Sequence, residues 1–255
     1  MSAEALSSAE LTRSELHSVG GLTSFGGSNS NDFLPSPDSA QSALTFELFR
    51  HPANRFPGRL LKRLLDLVGA SIALAMVAPL MVIVAAAVKL TSPGPVFFLQ
   101  PRVGRRCRIF RMIKFRTMVA DAEALRREVA HKNNARGISF KVINDPRLTT
   151  VGSILRRASI DELPQLFNVL TGEMSLVGPR PIPTWVADQL SDTRFHRRFS
   201  VMPGMTGLWQ VSGRHQDFDY MAERDLDYVK NWSLWLDVKL LAATPVAVFR
   251  GEGAH

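Results

Sequence analysis

One long apolar segment dominates the hydrophobic pattern of the chain. Between Leu64 and Leu90 the only charged residues are Asp66 and Lys89. A helix of this length measures about 40 Å, which is enough to cross a bilayer. Pro79 lies in the middle of the segment, where it lacks a backbone N–H and clashes with the preceding turn. The pattern therefore predicts a membrane helix that kinks or breaks at Pro79.

Basic residues flank this segment on both sides. Those before it are Arg55, Arg59, Lys62 and Arg63, and those at its end or after it are Lys89, Arg102, Arg105, Arg106, Arg108 and Arg111. Because positive charge favours the cytoplasmic side, the two flanks give a single crossing no clear direction. A re-entrant helix that bends near Ala78-Pro79 satisfies both flanks, and composition alone leaves an ordinary spanning anchor equally open.

Shorter patterns follow the breaker cluster Thr91–Pro95. Residues Val96–Leu99 predict a short buried strand. Residues Cys107–Arg116 predict a strand with one solvent-exposed face, because apolar and basic residues partly alternate. Phe195–Phe199 interleaves rings and cations, which is typical of an interfacial helix. For Lys230–Phe249, which begins with tryptophans, an interfacial helix and a core helix both remain open.

Charge and composition change the picture at the N-terminus. Residues 1–54 are rich in Ser, Gly, Asn and Pro. They contain six acidic and two basic residues and so carry a net charge of −4. Because the whole chain has a net charge of +8, the residues after 54 carry a net charge of +12. The first part is predicted to be a disordered leader. The basic remainder favours anionic lipid, nucleotides or nucleic acid. Cys107 is the only cysteine, which excludes a disulfide framework.

The densest candidate chemistry lies between Asn144 and Pro181, around the adjacent carboxylates Asp161 and Glu162. Two helix registers are open, with either Ser159 or Asp161 as the N-cap. In both registers Asp161 lies at a helix N-terminus, where the dipole favours an ionised carboxylate. Asp161 can then cap the helix, bind a divalent cation or attack phosphorus as a nucleophile.

Cations near these carboxylates are candidates for phosphate binding. Proline flanks Arg180 on both sides and presents its guanidinium rigidly. The basic run from Arg102 to Arg116 either binds phosphate or forms a solvated face near anionic lipid. Phe110 and Phe115 give only a faint hint of the aromatic interleaving that nucleic-acid binding favours, so no nucleic-acid partner is predicted.

Five blocks, in order, resemble the bacterial sugar transferases, the monotopic polyprenyl-phosphate phosphoglycosyl transferases. These blocks are Lys114–Met118, Asp145–Thr149, Ser159–Gln165, Gly172–Pro181 and Pro203–Arg214. The resemblance runs from about residue 60 to the C-terminus. The larger members of that family carry an additional multi-spanning N-terminal part, and we expect this chain to correspond to the minimal catalytic form.

The resemblance implies a function. Members transfer a sugar 1-phosphate from a UDP-sugar to undecaprenyl phosphate, release UMP and require Mg²⁺. It implies that Asp161 is the nucleophile, with Glu162 beside it, and we expect Asp161 to contact Mg²⁺ as well. Six side chains are the candidates for binding phosphate and nucleotide sugar: Lys114, Arg116, Arg147, Arg156, Arg180 and Arg214.

The resemblance also implies an architecture. The fold is expected to be α+β: a disordered leader (1–54), a re-entrant membrane helix broken at Pro79 (55–92) and a mostly helical cytosolic catalytic domain with short strands and interfacial helices (93–255). Members of the family have Ser where this chain has Ala78. The expected location is the cytoplasmic face of the bacterial inner membrane, in a pathway of exopolysaccharide or related glycan synthesis.

Two other classes of function remain open from the residues alone. A membrane-tethered basic binding module would use the run Arg102–Arg116 and would not need Asp161. A structural anchor or assembly protein would use Leu64–Leu90 for attachment only. The transferred sugar and self-association into a homo-oligomer are also left open.

Overall fold

A computed structural model describes residues 51, 53, 55–122, 124–126, 142, 145–190, 193–213, 215 and 217–250. Most of the predicted leader lies outside these residues. Within it, the Nε2 atom of His51 lies 2.6 Å from the carbonyl oxygen of Val229, and Ala53 is buried in the core. The described end of the leader therefore packs against the part of the chain that follows it.

The described part of the chain is a mixture of helices and short strands. The α-helices are α1 (Gly58–Thr91), α2 (Thr150–Arg157), α3 (Gln165–Thr171), α4 (Thr184–Ala187), α5 (Leu208–Val211), α6 (Phe218–Lys230) and α7 (Leu234–Arg250). The strands are β1 (Phe97–Val103), β2 (Ile109–Phe115), β3 (Ser175–Val177), β4 (Ile182–Pro183) and β5 (Gly204–Thr206). Short 3₁₀ helices cover Arg105–Cys107, Ala124–Arg126, Ile160–Glu162 and Thr193–Ser200.

Helix α1 is long and apolar enough to span a membrane, and it contains Pro79. It is one continuous helix of 34 residues, so the predicted break at Pro79 is wrong at the level of backbone structure, whereas a kink stays a prediction. The flanking turns hold the helical conformation on both sides of the missing N–H. Length and composition alone do not decide between spanning and re-entry.

The two faces of α1 differ along its whole length. One face is buried against the rest of the protein at Lys62, Asp66, Ala70, Met81, Val84 and Val88. The other face exposes a row of large apolar side chains at Leu60, Leu64, Val68, Ile72, Met76, Leu80 and Ile83. Both rows follow the spacing of one helix face. An exposed apolar row of this length is typical of a surface that contacts lipid.

Both halves of α1 pack against the same domain. Before Pro79, Ala70 lies in a core cluster with Leu166, Val169 and Met174. After Pro79, Met81, Val84 and Val88 form a second cluster with Phe115 and Leu155. The guanidinium of Arg63 also donates to the carbonyls of Val169 (2.6 Å) and Leu170 (2.8 Å), which satisfies the C-terminal end of α3.

A buried ion pair fixes the start of α1. The Nζ atom of Lys62 lies 2.8 Å from Oδ2 of Asp237 on α7 and 3.8 Å from Oδ1 of Asp66. Asp66 accepts hydrogen bonds from the hydroxyl of Ser175 (2.8 Å) and the backbone N–H of Leu176 (3.0 Å). This network holds α1 in place on β3 and α7.

A β-hairpin carries one wall of the candidate site. Strands β1 and β2 pair antiparallel from Phe97↔Phe115 to Val103↔Ile109, and β4 extends the sheet at Arg102 and Val103. The prediction of a strand within Cys107–Arg116 is confirmed. The prediction of a buried strand at Val96–Leu99 is wrong in its burial, because Phe97, Phe98 and Leu99 are each more than two-fifths exposed. Strand β1 is the central strand of the sheet, but β4 pairs with it only at Arg102 and Val103, so Phe97–Leu99 lie beyond that pairing and stay exposed although they are continuously apolar.

The segment predicted as an interfacial helix is buried instead. Phe195 and Phe199 form a core cluster with Val103, Ile182 and Phe218, and Arg198 is 2% exposed. The segment is a 3₁₀ helix, and its buried arginine pairs with a carboxylate. Both rings and Arg198 therefore belong to the interior of the domain, whereas Arg197 is exposed.

Helix α7 shows both properties that its sequence left open. Its Asp237 and Leu240 are buried, whereas Trp235, Val238 and Val246 are exposed. The helix thus packs one face on the core and offers an apolar face outward.

Candidate active site

Asp161 and Glu162 lie in the 3₁₀ turn Ile160–Glu162, immediately before Pro164 and helix α3. The register with Ser159 as the N-cap is correct in position for this turn, but Ser159 makes no side-chain capping bond and has a positive φ of 56°. The register with Asp161 as the N-cap is wrong, because α3 begins at Gln165 with Pro164 as its N-cap. The left-handed turn at Ser159 ends α2 and turns both carboxylates toward the hairpin.

Glu162 is fixed by two cations. Its Oε1 lies 2.7 Å from Nζ of Lys114 on β2 and 2.8 Å from Nη2 of Arg180. Burial on its own would raise the pKa of Glu162, but the charges of Arg180 and Lys114 and their hydrogen bonds outweigh burial and hold the pKa well below its usual range. Glu162 is therefore a permanent anion that holds Lys114 and Arg180 together.

Asp161 has a different environment, although it is the adjacent residue. It is 7% exposed, and no described side chain donates a hydrogen bond to its carboxylate. Burial raises the pKa of Asp161 above its ordinary value; Lys114, Arg156 and Arg180 lower it, and Glu162 raises it further. The helix-dipole prediction missed this effect of burial. A carboxylate with few hydrogen bonds and a raised pKa is a better nucleophile than a solvated one.

Arg156 and Arg147 lie behind the carboxylates. The Nε atom of Arg156 donates to the hydroxyl of Thr117 at 2.9 Å, and its charge acts on Asp161. Arg147 forms an ion pair with Asp145 (2.6 Å), and the same carboxylate accepts from its backbone N–H. Arg156 thus lies beside the candidate nucleophile, whereas the described bonds of Arg147 hold a turn.

Two further predicted residues lie elsewhere. The Nη2 atom of Arg116 donates to the carbonyl and the hydroxyl of Ser92 at the exit of α1, both at 2.7 Å. Arg116 is thus bonded to the C-cap residue of α1, and its phosphate-binding role stays a prediction. Arg214 lies outside the described residues.

Close backbone packing positions Arg180. Strands β3 and β5 pair in parallel, Gly178 donates to Thr206, and Gly204 donates to the carbonyl of Pro179, both at 2.9 Å. A Cβ atom on Gly204 would lie 2.0 Å from the nitrogen of Gly178, so only glycine permits this approach. The loop that follows presents the guanidinium of Arg180 to Glu162 and over the ring of Trp209, 5.6 Å from its centroid.

A buried ion pair holds the backbone of Arg180 in place. The Nη2 atom of Arg198 donates to Oδ2 of Asp225 on α6 (2.5 Å) and to the carbonyl of Arg180 (2.8 Å). Burial raises the pKa of Asp225 to about 6 despite the opposing charge of Arg198. Sequence reasoning missed this pair, because the partners lie on different elements and nothing in the local pattern joins them.

Arg102 also reaches the site. It lies on β1, and its charge acts on both Arg180 and Glu162. The sequence placed it in a basic run without separating it from its neighbours. The alternation of side chains along the strands was the available signal. Pairs separated by an even number of positions lie on the same face of a hairpin, and this rule places Arg102 and Lys114 on one face.

The donor set fits a magnesium ion shared with a substrate. Among the described residues, no group of three or more His, Cys, Asp or Glu side chains is arranged to hold a metal ion. Mg²⁺ is commonly held by one or two carboxylates together with substrate phosphates and water, rather than by an all-protein cage. Asp161, whose carboxylate accepts no described side-chain bond, fits that arrangement.

The chain belongs to the bacterial sugar transferase family, whose model matches residues 57–251. It is 45% identical over 206 residues to the undecaprenyl-phosphate galactose phosphotransferase of Salmonella typhimurium, covering 77% of this chain and 42% of the relative.

It is 42% identical over 212 residues to the UDP-glucose:undecaprenyl-phosphate glucose-1-phosphate transferase of Caulobacter vibrioides, covering 80% of this chain and 75% of the relative. It is 40% identical over 208 residues to the exopolysaccharide production protein ExoY of Rhizobium meliloti, covering 78% of this chain and 89% of the relative. The chain spans less than half the length of several of its relatives, including the one from Salmonella. The membership predicted from the five sequence blocks is confirmed.

Proposed function

We propose that the protein transfers a sugar 1-phosphate from a UDP-sugar to undecaprenyl phosphate and releases UMP, in exopolysaccharide or related glycan synthesis. The observation that carries this proposal is the pair of unlike carboxylates. Glu162 is paired with Lys114 and Arg180, whereas the buried Asp161 accepts no described side-chain hydrogen bond beside those cations. The relative from Salmonella typhimurium is named for undecaprenyl phosphate, and the relative from Caulobacter vibrioides is named for UDP-glucose and undecaprenyl phosphate, which supports these substrates.

The reaction proceeds in two steps on Asp161. In the first, a carboxylate oxygen forms a bond to the sugar-bearing phosphorus, the bond from that phosphorus to the bridging oxygen breaks, and UMP leaves with the electron pair. In the second, an oxygen of undecaprenyl phosphate attacks the same phosphorus and Asp161 is released. Each step exchanges one P–O bond for another.

The cations of the site bind and orient the phosphates. Lys114 and Arg180 are held by Glu162 at the distances of charge-assisted hydrogen bonds, and they neutralise the charge that builds up on the phosphoryl oxygens. Arg156 lies on the Asp161 side, and its charge lowers the pKa of that carboxylate against the larger raising effect of burial. Mg²⁺, when bound with the substrate by Asp161, supplies additional positive charge to the diphosphate.

We also propose that α1 kinks at Pro79 without a break and is re-entrant, and that the catalytic domain lies on the cytoplasmic face of the bacterial inner membrane. Packing on both sides of Pro79 supports this, because Ala70 and Val88 contact the same domain. The exposed apolar row on the other face of α1 would contact lipid, and the exposed faces of β1 and α7 would lie at headgroup depth. An acceptor whose phosphate lies at the membrane surface needs a site at that depth.

A labelling experiment tests the topology. In a Cys107→Ser background, Arg55→Cys before α1 and Pro95→Cys after it occupy exposed positions. We expect a membrane-impermeant thiol reagent to modify both variants in inverted vesicles and neither in intact cells with a permeabilised outer membrane. Labelling of the two positions from opposite sides would show that α1 spans the bilayer.

A transfer assay tests the activity. Purified protein is incubated with undecaprenyl phosphate, Mg²⁺ and a panel of UDP-sugars labelled in the sugar. We expect lipid-linked label and equimolar UMP with at least one donor, and loss of both when EDTA removes the metal and their return when Mg²⁺ is restored. Membrane association without transfer from any donor would favour a binding or assembly module.

A further inference from the structure

Arg102 lies on the active-site face of the β-hairpin. In the register of β1 and β2, Arg102 is opposite Phe110 and Phe98 is opposite Lys114. Positions that differ by an even number of pairs lie on the same face of a sheet, so Arg102 and Lys114 point to the same side. Arg111, which is opposite Pro101, lies on the other face and is exposed.

Neutral acceptors hold the guanidinium of Arg102 in place. Its Nε and Nη2 atoms donate to Oε1 of Gln100 at 3.1 and 2.6 Å, and its Nη1 donates to the carbonyl of Pro181 at 2.9 Å. No carboxylate in the described part of the chain forms an ion pair with it, because Glu162 is taken by Lys114 and Arg180. A guanidinium has five N–H donors, so each terminal nitrogen of Arg102 keeps one N–H for a ligand.

The charges around Arg102 favour an anionic ligand. Burial and the neighbouring Arg180 lower the pKa of Arg102 to about 9, although Glu162 raises it, and a guanidinium with this pKa remains charged at neutral pH. Four cations (Arg102, Lys114, Arg156 and Arg180) surround two carboxylates, so the site carries excess positive charge. A half-buried cation without a counter-ion is stabilised when an anion binds.

The contacts of Arg102 place it beside Arg180. Arg102 donates to the carbonyl of Pro181, the residue that follows Arg180, and Arg180 is itself paired with Glu162. Arg156 instead donates to Thr117, and its charge acts on Asp161. The sugar-bearing phosphate must lie at Asp161, so the next phosphate of a diphosphate donor extends toward Arg180 and Arg102.

We propose that Arg102, fixed by Gln100 and Pro181, binds the phosphate of the leaving nucleoside monophosphate. This inference rests on the proposed function, because it assigns the two donor phosphates relative to Asp161. When the bond to the bridging oxygen breaks, that oxygen keeps the electron pair, and the two remaining N–H groups of Arg102 donate to the monophosphate. Arg102 therefore binds the donor and the UMP product and does not bind the acceptor.

Binding of UMP and of uridine separates this role from a structural one. Both are titrated into the full chain in detergent for the wild type, Arg102→Gln, Arg102→Lys and the control Arg111→Gln. We expect Arg102→Gln to weaken UMP binding by about 10- to 100-fold, because the charge-assisted hydrogen bonds to the phosphate are lost. Arg102→Lys keeps the charge and should weaken UMP binding less. Uridine, which lacks the phosphate, should bind all four proteins equally, and Arg111→Gln should bind UMP like the wild type.

Kinetics then assign the phosphate to donor or acceptor. For Arg102→Gln we expect a higher KM for the UDP-sugar and an unchanged KM for undecaprenyl phosphate. A higher KM for the acceptor alone, an equal loss of UMP and uridine binding, or unchanged UMP binding would each overturn the proposal. UMP binding does not require Asp161, so loss of UMP binding in Arg102→Gln would support the nucleotide site even if the transfer reaction proved wrong.

Discussion

Replacement of Asp161 by asparagine is expected to abolish transfer, lowering the rate by more than about 10³-fold. An amide is neutral and a poor nucleophile, so the first step cannot proceed at the sugar-bearing phosphorus. The measurement is release of UMP from a labelled UDP-sugar in single-turnover conditions without acceptor. The wild type should release one equivalent and keep the labelled sugar phosphate on the protein, in a form that hydroxylamine removes, as expected for an acyl phosphate.

The matched control is Asp219→Asn, an exposed aspartate on α6, which should release UMP like the wild type. Asp161→Asn should retain the thermal unfolding midpoint, because no described side chain bonds its carboxylate. If Asp161→Asn still releases UMP and retains label, another residue is the nucleophile and the assignment is wrong.

Much of the site follows from local sequence, because its parts are short motifs that fold as turns. The adjacent carboxylates, the proline-flanked Arg180 and the strand that carries Lys114 lie where their neighbours in sequence place them. Lys114 and Arg180 are predicted from the sequence to bind phosphate, whereas their ion pairs with Glu162, at 2.7 and 2.8 Å, are seen only in the structure. Their catalytic roles await the experiments above.

The remaining features depend on partners that are remote in the chain. Lys62 forms its ion pair with Asp237, which is 175 residues further along the chain, and Arg198 forms its ion pair with Asp225, which is 27 residues further along. No local pattern predicts such pairs, so the sequence of Phe195–Phe199 predicts an interfacial helix although the structure buries Phe195, Arg198 and Phe199. Similarly, burial rather than a helix dipole dominates the pKa of Asp161, and burial depends on packing of the whole domain.

The buried pair Arg198–Asp225 predicts a large effect on stability. Replacing Arg198 by methionine leaves Asp225 without its cation in the interior, and the expected loss is about 3–5 kcal/mol of unfolding free energy. The Asp225 pKa, already about 6 and above the unfolded value of 3.8, should rise further without Arg198. Since the folded state then binds more protons than the unfolded state, stability falls as pH rises, so the loss should be larger at pH 8 than at pH 5.

The double variant Arg198→Met/Asp225→Leu separates stability from function. Replacing both partners by apolar side chains should restore most of the unfolding free energy, as measured by denaturant unfolding in detergent, because no buried charge is left. Its transfer rate should stay low, since the carbonyl of Arg180 has lost its 2.8 Å donor and the loop that presents Arg180 to Glu162 is no longer fixed. The exposed neighbour Arg197→Met should change neither quantity. A double variant with full activity would show that Arg198 serves stability alone and does not position Arg180.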